Sequence, residues 1–349
     1  MVNDANFAIG KRTIDRIKSA STVHGLDTRK SSERWLCEEL SRGFSAVLTV
    51  PHMIKGGLIH AQVTRETGDL DIVFARKVSE HEVLQSLRMM APQLASKGIE
   101  ITKVGKMQEL LISGDGGMRF PIEAAVGGTR INTHADITGG MRHLPARKTD
   151  QAGQPLQLQK TFGSVFFKDQ QPLEAFYQNF EGQAADKLAA LVLRPDTTRW
   201  KDFADVSRLQ KMGLNPSKIG VELAHKLSYM YESARDVLAA LPEVPQTMTF
   251  DYVREKAKHW QNWQQRNGKI APTVDFDDVA CDARIMYSNV RQVLINSYAP
   301  NHRPRRSISV ADQAKAVREL RSKTAERGNN VVNIGDYRDP ITLAYRPKV

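Results

Sequence analysis

Asp69-Leu70-Asp71 runs directly into the apolar stretch Ile72-Val73-Phe74. Two carboxylates one residue apart, followed by such a run, suit a strand with one buried face. Residues i and i+2 of a strand point to the same side, about 7 Å apart at a rise of roughly 3.3 Å per residue. Asp69 and Asp71 can therefore aim at one point while the other face is buried. Upstream lies Lys55-Gly56-Gly57-Leu58, separated from Asp69 by ten residues. Glycines let backbone approach a phosphate where a side chain would block it. Hard cations that carry bound phosphates take one or two carboxylates, the substrate's own oxygens and water. The layout is that of a nucleotidyl-transfer site with Mg2+ as its cofactor. The plainer reading of Asp69 and Asp71 is the solvated side of an exposed strand.

Two further segments complete a pattern: Ala185-Asp186-Lys187-Leu188-Ala189-Ala190, and Arg199-Trp200-Lys201-Asp202-Phe203-Ala204-Asp205-Val206. With Gly57-Leu58, ten residues and Asp69-x-Asp71, they resemble the AbiEii/AbiGii-type toxin nucleotidyltransferases, a branch of the DNA-polymerase-β-like superfamily. The resemblance covers roughly residues 30 to 210. It implies an α+β fold, with a small mixed-sheet nucleotidyltransferase domain followed by a helical domain. Asp69 and Asp71 become metal ligands. Gly56 and Gly57 become nucleotide contacts. Glu123, on a strand able to lie beside Asp69–Phe74, becomes a third metal ligand. Lys187 is implied to stabilise charge as pyrophosphate leaves, Arg199 or Lys201 to bind phosphate, and Asp202 or Asp205 to position a basic partner or the acceptor. Outside the resemblance, Lys187 is a surface lysine, and Lys201 and Asp205 suit a helix ion pair. Leu58 stands where the family usually has a Ser or Thr that helps hold the triphosphate. If that loss weakens nucleotide grip, Leu58→Ser should lower the KM for nucleotide, or leave it unchanged if Lys187 and Arg199 already suffice.

Composition narrows the partners. The net charge is +11 over 349 residues, which points to nucleic acid or phosphate-bearing substrates, or simply to solubility. Arg254, Lys258, Trp260 and Trp263 interleave bases with aromatics that could contact RNA; alternatively the aromatics are core and the charges a wet face. Arg305 and Arg306 open a tail, 301–349, with eleven Lys or Arg against five Asp or Glu. Cys37 and Cys281, the chain's two cysteines, suit neither a zinc knot nor a disulfide framework. With no secretory signal and no apolar run near the roughly 20 residues of a membrane span, a cytoplasmic protein is expected. No HExxH, P-loop or kinase signature is present. The expected partners are an NTP, an RNA with the 3′ end of tRNA foremost, and a cognate antitoxin. The alternatives are nucleotidyl transfer to a small molecule and a catalytically weak nucleic-acid binder.

The expected domains are 1–168, 169–299 and a basic extension, 300–349. Helices are expected over 11–20 and 31–42, with Ser32 as a cap, and from Ser79 to about Ser96. Strands are expected over 46–54, 69–75 and 99–104, with a hairpin joining 107–113 to 118–126. Residues 127–155 read as loops or a strand insertion. After Glu181 the pattern is helical, with breaks near Pro195 and Gly213.

Overall fold

A computed structural model describes residues 4–48, 52–59, 67–110, 117–139, 175–194, 199–228, 234–267 and 271–298, with positions 50 and 167. The chain forms two compact units. One comprises Met1–Asn179 with Asn267–Ala271; the other comprises Phe180–Arg266 and the described residues from Pro272 onward. The boundary falls C-terminal to the position read from the sequence, because the last strand of the sheet reaches Tyr177.

The first unit is a mixed sheet. Its strands are β1 (His52–Lys55), β2 (Asp69–Phe74), β3 (Ile99–Val104), β4 (Gln108–Leu110), β5 (Gly117–Val126), β6 (Thr129–Gly139) and β7 (Phe176–Tyr177). The spatial order is β3-β5-β6-β2-β1-β7, with β4 also paired to β5. β2 lies antiparallel to β1 and parallel to β6. Alternation decides the faces: Leu70, Ile72, Phe74, Phe120, Ile122, Ala124, Ile131, Ala135 and Ile137 are buried in one core. Helices α1 (Asp4–His24), α2 (Thr28–Val47) and α3 (Glu80–Ala95) supply its remaining side chains, among them Ile17, Leu36, Leu40, Phe44, Leu87 and Met90.

The starts of α2 and α3 have different origins. Ser79 caps α3 as expected: its hydroxyl accepts from the Glu82 N–H, and the Glu82 carboxylate accepts from the Ser79 N–H, which satisfies two orphan donors at once. Helix α2 starts earlier than the apolar pattern does. Its cap is Asp27, which accepts from the Lys30 N–H at 2.9 Å. Ser32 instead lies inside the helix and donates to the Thr28 carbonyl. Strand β6, Thr129–Gly139, lies within the stretch 127–155 that reads as loops or a strand insertion. The turn of the expected hairpin, 111–116, and the basic extension, 300–349, lie outside the described residues.

Helix α1 meets the sheet through backbone. A Cβ built on Gly10 would lie 2.4 Å from the Gly127 nitrogen and 2.7 Å from the Gly98 oxygen. Gly98 and Gly127 both have positive φ, 75° and 54°, so they also end their elements in a conformation that side chains resist. The approach is closer than any side chain permits.

The second unit is helical: α4 (Phe180–Leu193), α5 (Trp200–Lys211), α6 (Pro216–Ser228), α7 (Ala234–Ala239), α8 (Phe250–Asn267) and α9 (Phe276–Tyr298). Its core includes Leu188, Phe203, Leu223, Trp260, Phe276 and Tyr287. Phe276 meets Trp200, Phe203 and Trp260 with ring centroids 5.0–5.4 Å apart, within the range favoured by aromatic pairs. No described helix is long and apolar enough to cross a membrane.

Gly10→Ala should destabilise the sheet unit by about 1–3 kcal/mol, because the new methyl meets backbone that has no rotamer by which to yield. Thermal unfolding should show a lowered midpoint; an unchanged midpoint would mean that α1 can shift away without loss.

Candidate active site

The open face of the sheet is built by register. Asp71 of β2 is opposite Asp136 of β6, Asp136 is opposite Arg119 of β5, and Lys55 of β1 is opposite Asp71. Paired residues project from the same face, so Arg119, Asp136, Asp71 and Lys55 form one rung across four strands. On the adjoining rung, Asp69 is opposite His134. The buried face beneath, with Leu70, Ala135 and Phe120 fully covered, sets which way the acids point.

Each acid of this face has a defined setting. Asp69, about half exposed, receives the His134 imidazole at 2.8 Å. That hydrogen bond raises the imidazole pKa, against the opposing effect of desolvation. Asp136 is held by two nitrogens on one edge of the Arg119 guanidinium, with Nε donating at 2.7 Å and Nη2 at 2.6 Å. The hydrogen bond to Asp136 keeps Arg119 above its ordinary pKa, and the charges of Asp69 and Asp71 add to this effect. Asp71 lies against the glycine turn: a Cβ on Gly56 would fall 1.9 Å from Asp71 Oδ2. Gly56 has φ 74°. The glycine is thus required twice, for the turn and for the approach of the carboxylate.

The turn itself, Gly56–Ile59, is one 3-10 turn. The buried guanidinium of Arg34, on α2, reaches the Gly57 carbonyl at a long 3.5 Å. Leu58 is 5% exposed and belongs to the core under the sheet. Its side chain is spent on packing, which removes the basis for expecting Leu58→Ser to improve nucleotide grip. Cys37, also in this core, shares a hydrogen bond with Thr133. Burial pushes its thiol pKa far up, so it is an unreactive packing group.

Glu123 requires correction. It lies on β5, and β6 separates that strand from β2. Two strand spacings put it at least about 9 Å from β2. Its register partner, Asn132, is also displaced from the Asp69 rung. Arg130 and Thr102 hold the Glu123 carboxylate. Asp136 is the carboxylate that the neighbouring strand places beside Asp71. Its signal was the alternation Thr133-His134-Ala135-Asp136-Ile137, with small or apolar residues on one face and polar ones on the other.

The helical unit brings Lys187, Arg199, Asp202 and Asp205 together. Lys187 Nζ donates to Asp202 Oδ1 at 2.6 Å and lies 3.6 Å from Asp205 Oδ2. Arg199 also binds Asp202, and Arg208 reaches Asp205 at 3.3 Å. Both aspartates are buried. Burial pushes the Asp202 pKa up, but the charges and hydrogen bonds of Lys187 and Arg199 outweigh it and leave the carboxyl below its ordinary 3.8. Asp186 of the same motif pairs with Lys226 at 2.5 Å. Lys201 is exposed. Lys187 is therefore no snorkelling surface residue.

On α8 the structure favours the reading of the aromatics as core and the charges as a wet face. Trp260 is fully buried, and its indole N–H donates to the Val274 carbonyl at 3.1 Å. Trp263 packs against the same core. Neither is a free stacking platform. Arg254 and Lys258 are exposed on α8. Arg305 and Arg306 lie outside the described residues. Among those residues, no group of three or more His, Cys, Asp or Glu forms a ready-made metal cage. A site that takes part of its coordination from substrate oxygens does not need one.

A mixed sheet that presents an Asp-x-Asp strand beside a glycine turn, followed by a helical unit, defines the nucleotidyltransferase class. The family model described as "Nucleotidyl transferase AbiEii toxin, Type IV TA system" matches residues 55–280. The chain belongs to that family and is a nucleotidyltransferase. Two solved structures are similar. One is of a Helicobacter pylori protein described as a candidate nucleotidyltransferase, with 14% identity, TM-score 0.42, and coverage of 78% of this chain and 99% of that one. The other, JHP933 from Helicobacter pylori, has 14% identity, TM-score 0.41, and coverage of 79% and 98%. No curated protein matches.

Two outcomes are expected of these residues. Leu58→Ser should destabilise the sheet unit by about 2–4 kcal/mol, as other large-to-small core changes do, without lowering the nucleotide KM; chemical denaturation and initial rates check this. Asp202→Asn should cost about 3 kcal/mol at neutral pH, since it strips a buried ion pair of its anion. Because the folded pKa of Asp202 lies below 3.8, its contribution is complete above that value and is lost as pH falls through the folded pKa. The gap in stability between wild type and variant should therefore be flat from pH 7 to about 4 and close below that. The fluorescence of Trp200, Trp260 and Trp263 reports the unfolding of this unit.

Proposed function

We propose that the protein transfers a nucleotidyl group from an NTP to the 3′ end of an RNA, with tRNA the leading acceptor, and that Asp69 and Asp71 hold Mg2+ for the reaction. The observation that carries this reading is the pair itself: two carboxylates on one face of β2, with Gly56 letting the Asp71 carboxylate lie against the turn. The all-oxygen donor set fits a hard cation with bound phosphate. Asp136, beside Asp71, is the third candidate ligand. When bound, Mg2+ would stabilise charge developing on the phosphate oxygens and lower the pKa of the attacking hydroxyl.

The chain's own residues supply the rest. Gly56 and Gly57 offer backbone to a phosphate without steric block. His134 orients the Asp69 carboxylate. In the helical unit, Lys187 is the ammonium that would meet a phosphate oxygen, and Asp202 fixes its position. Arg199 and Lys201 are further candidates for phosphate contact. The net charge and the exposed Arg254 and Lys258 support a polyanionic acceptor over a small molecule. A cognate antitoxin is the partner that follows from the type IV family.

Asp69→Asn and Asp71→Asn should keep the fold and lower transfer by at least about 100-fold, the scale of losing a stabiliser of transition-state charge. The assay incubates α-labelled NTPs with total tRNA and Mg2+. Label in RNA supports the proposal, label in a small molecule redirects it, and wild-type rates from both variants contradict it.

A further inference from the structure

The reading of Asp69 and Asp71 as cation ligands, with Asp136 beside them, leaves Arg119 without a role, and the following inference rests on that reading. A bidentate guanidinium–carboxylate pair is directional as well as attractive. Here it sits on the same rung as Asp71, one strand further along. Asp136 is largely buried and Arg119 about one-third exposed. The carboxylate is thus enclosed while the guanidinium still reaches solvent. Asp71 and Asp136 are neighbouring acids whose mutual repulsion must be offset, and Arg119 adjoins Asp136 while Lys55 adjoins Asp71. An ionised carboxylate has about four lone-pair sites. Two hydrogen bonds from Arg119 therefore leave Asp136 able to accept a further ligand.

We propose that Arg119 is a positioning residue for the active-site cation: its two-pronged grip on Asp136 turns that carboxylate's remaining lone pairs towards the space beside Asp71. A mere charge-neutralising role makes the opposite prediction. A fixed positive charge near a cation site opposes cation binding, so removing it would tighten binding. A grip that orients a ligand supports cation binding, and losing it loosens binding, typically by about 10- to 100-fold for groups that hold a metal's ligands in place.

The test is Mn2+ affinity of the full chain without nucleotide, followed by the loss of the free-ion electron paramagnetic resonance signal. Wild type, Arg119→Gln, Arg119→Lys and Asp71→Asn are compared, with melting curves to show that each is folded. Weakening by about 10- to 100-fold in both Arg119 variants supports the proposal, because lysine keeps the charge but lacks the fork. Unchanged or tighter binding in Arg119→Gln, or full affinity in Arg119→Lys, overturns it. Asp71→Asn separates the two readings: if it binds Mn2+ as wild type does, the cation site itself is misplaced; if it loses binding while the Arg119 variants keep it, only the role of Arg119 fails.

Discussion

The placement of Asp69 and Asp71 depends on three apolar side chains of the same strand that point the other way. Leu70, Ile72 and Phe74 are buried together under β2, and with strict alternation they leave the two acids no other face. A slip of one residue would drive both carboxylates into the core and turn three large apolar groups outward. The hydrophobic term thus holds the site's orientation. Full burial of each such side chain is worth about 1.5–3 kcal/mol, more than any single exposed ion pair on the opposite face contributes.

Register then converts orientation into composition. Because β2 pairs with β1 on one side and β6 on the other, the rung through Asp71 collects Lys55, Asp136 and Arg119 from strands far apart in sequence. The rung through Asp69 collects His134. The helical unit solves a different problem. Lys187, Arg199 and Arg208 are gathered around two buried aspartates, so charges inside that unit are matched nearly one to one. Removing either sign leaves the other buried and unmatched, which costs stability.

Much of this was legible in the residues. The Asp-x-Asp strand, the glycine turn and the Ser79 cap are local patterns, and local patterns survive folding unchanged. Strand order is not local. Nothing in the sequence announces that β6 inserts between β2 and β5, and so Glu123 looked adjacent to Asp69 while Asp136 went unnoticed. Strand β6 was itself obscured by its Thr, Arg and Asn content, which is ordinary for a strand whose outer face is open. Trp260 was ambiguous, readable as a base-stacking aromatic or as core. Its basic neighbours lie on the wet side of α8, whereas its own position faces Phe276. Sequence proximity mixed two faces that the helix separates.

The proposed cation site on the open face of β2 is tested most directly by anomalous diffraction from crystals soaked with Mn2+ and a non-hydrolysable NTP analogue. A manganese peak is expected within coordination distance of both Asp69 and Asp71, with a phosphate oxygen completing its shell. A fully occupied analogue whose manganese touches neither aspartate would contradict the proposed site.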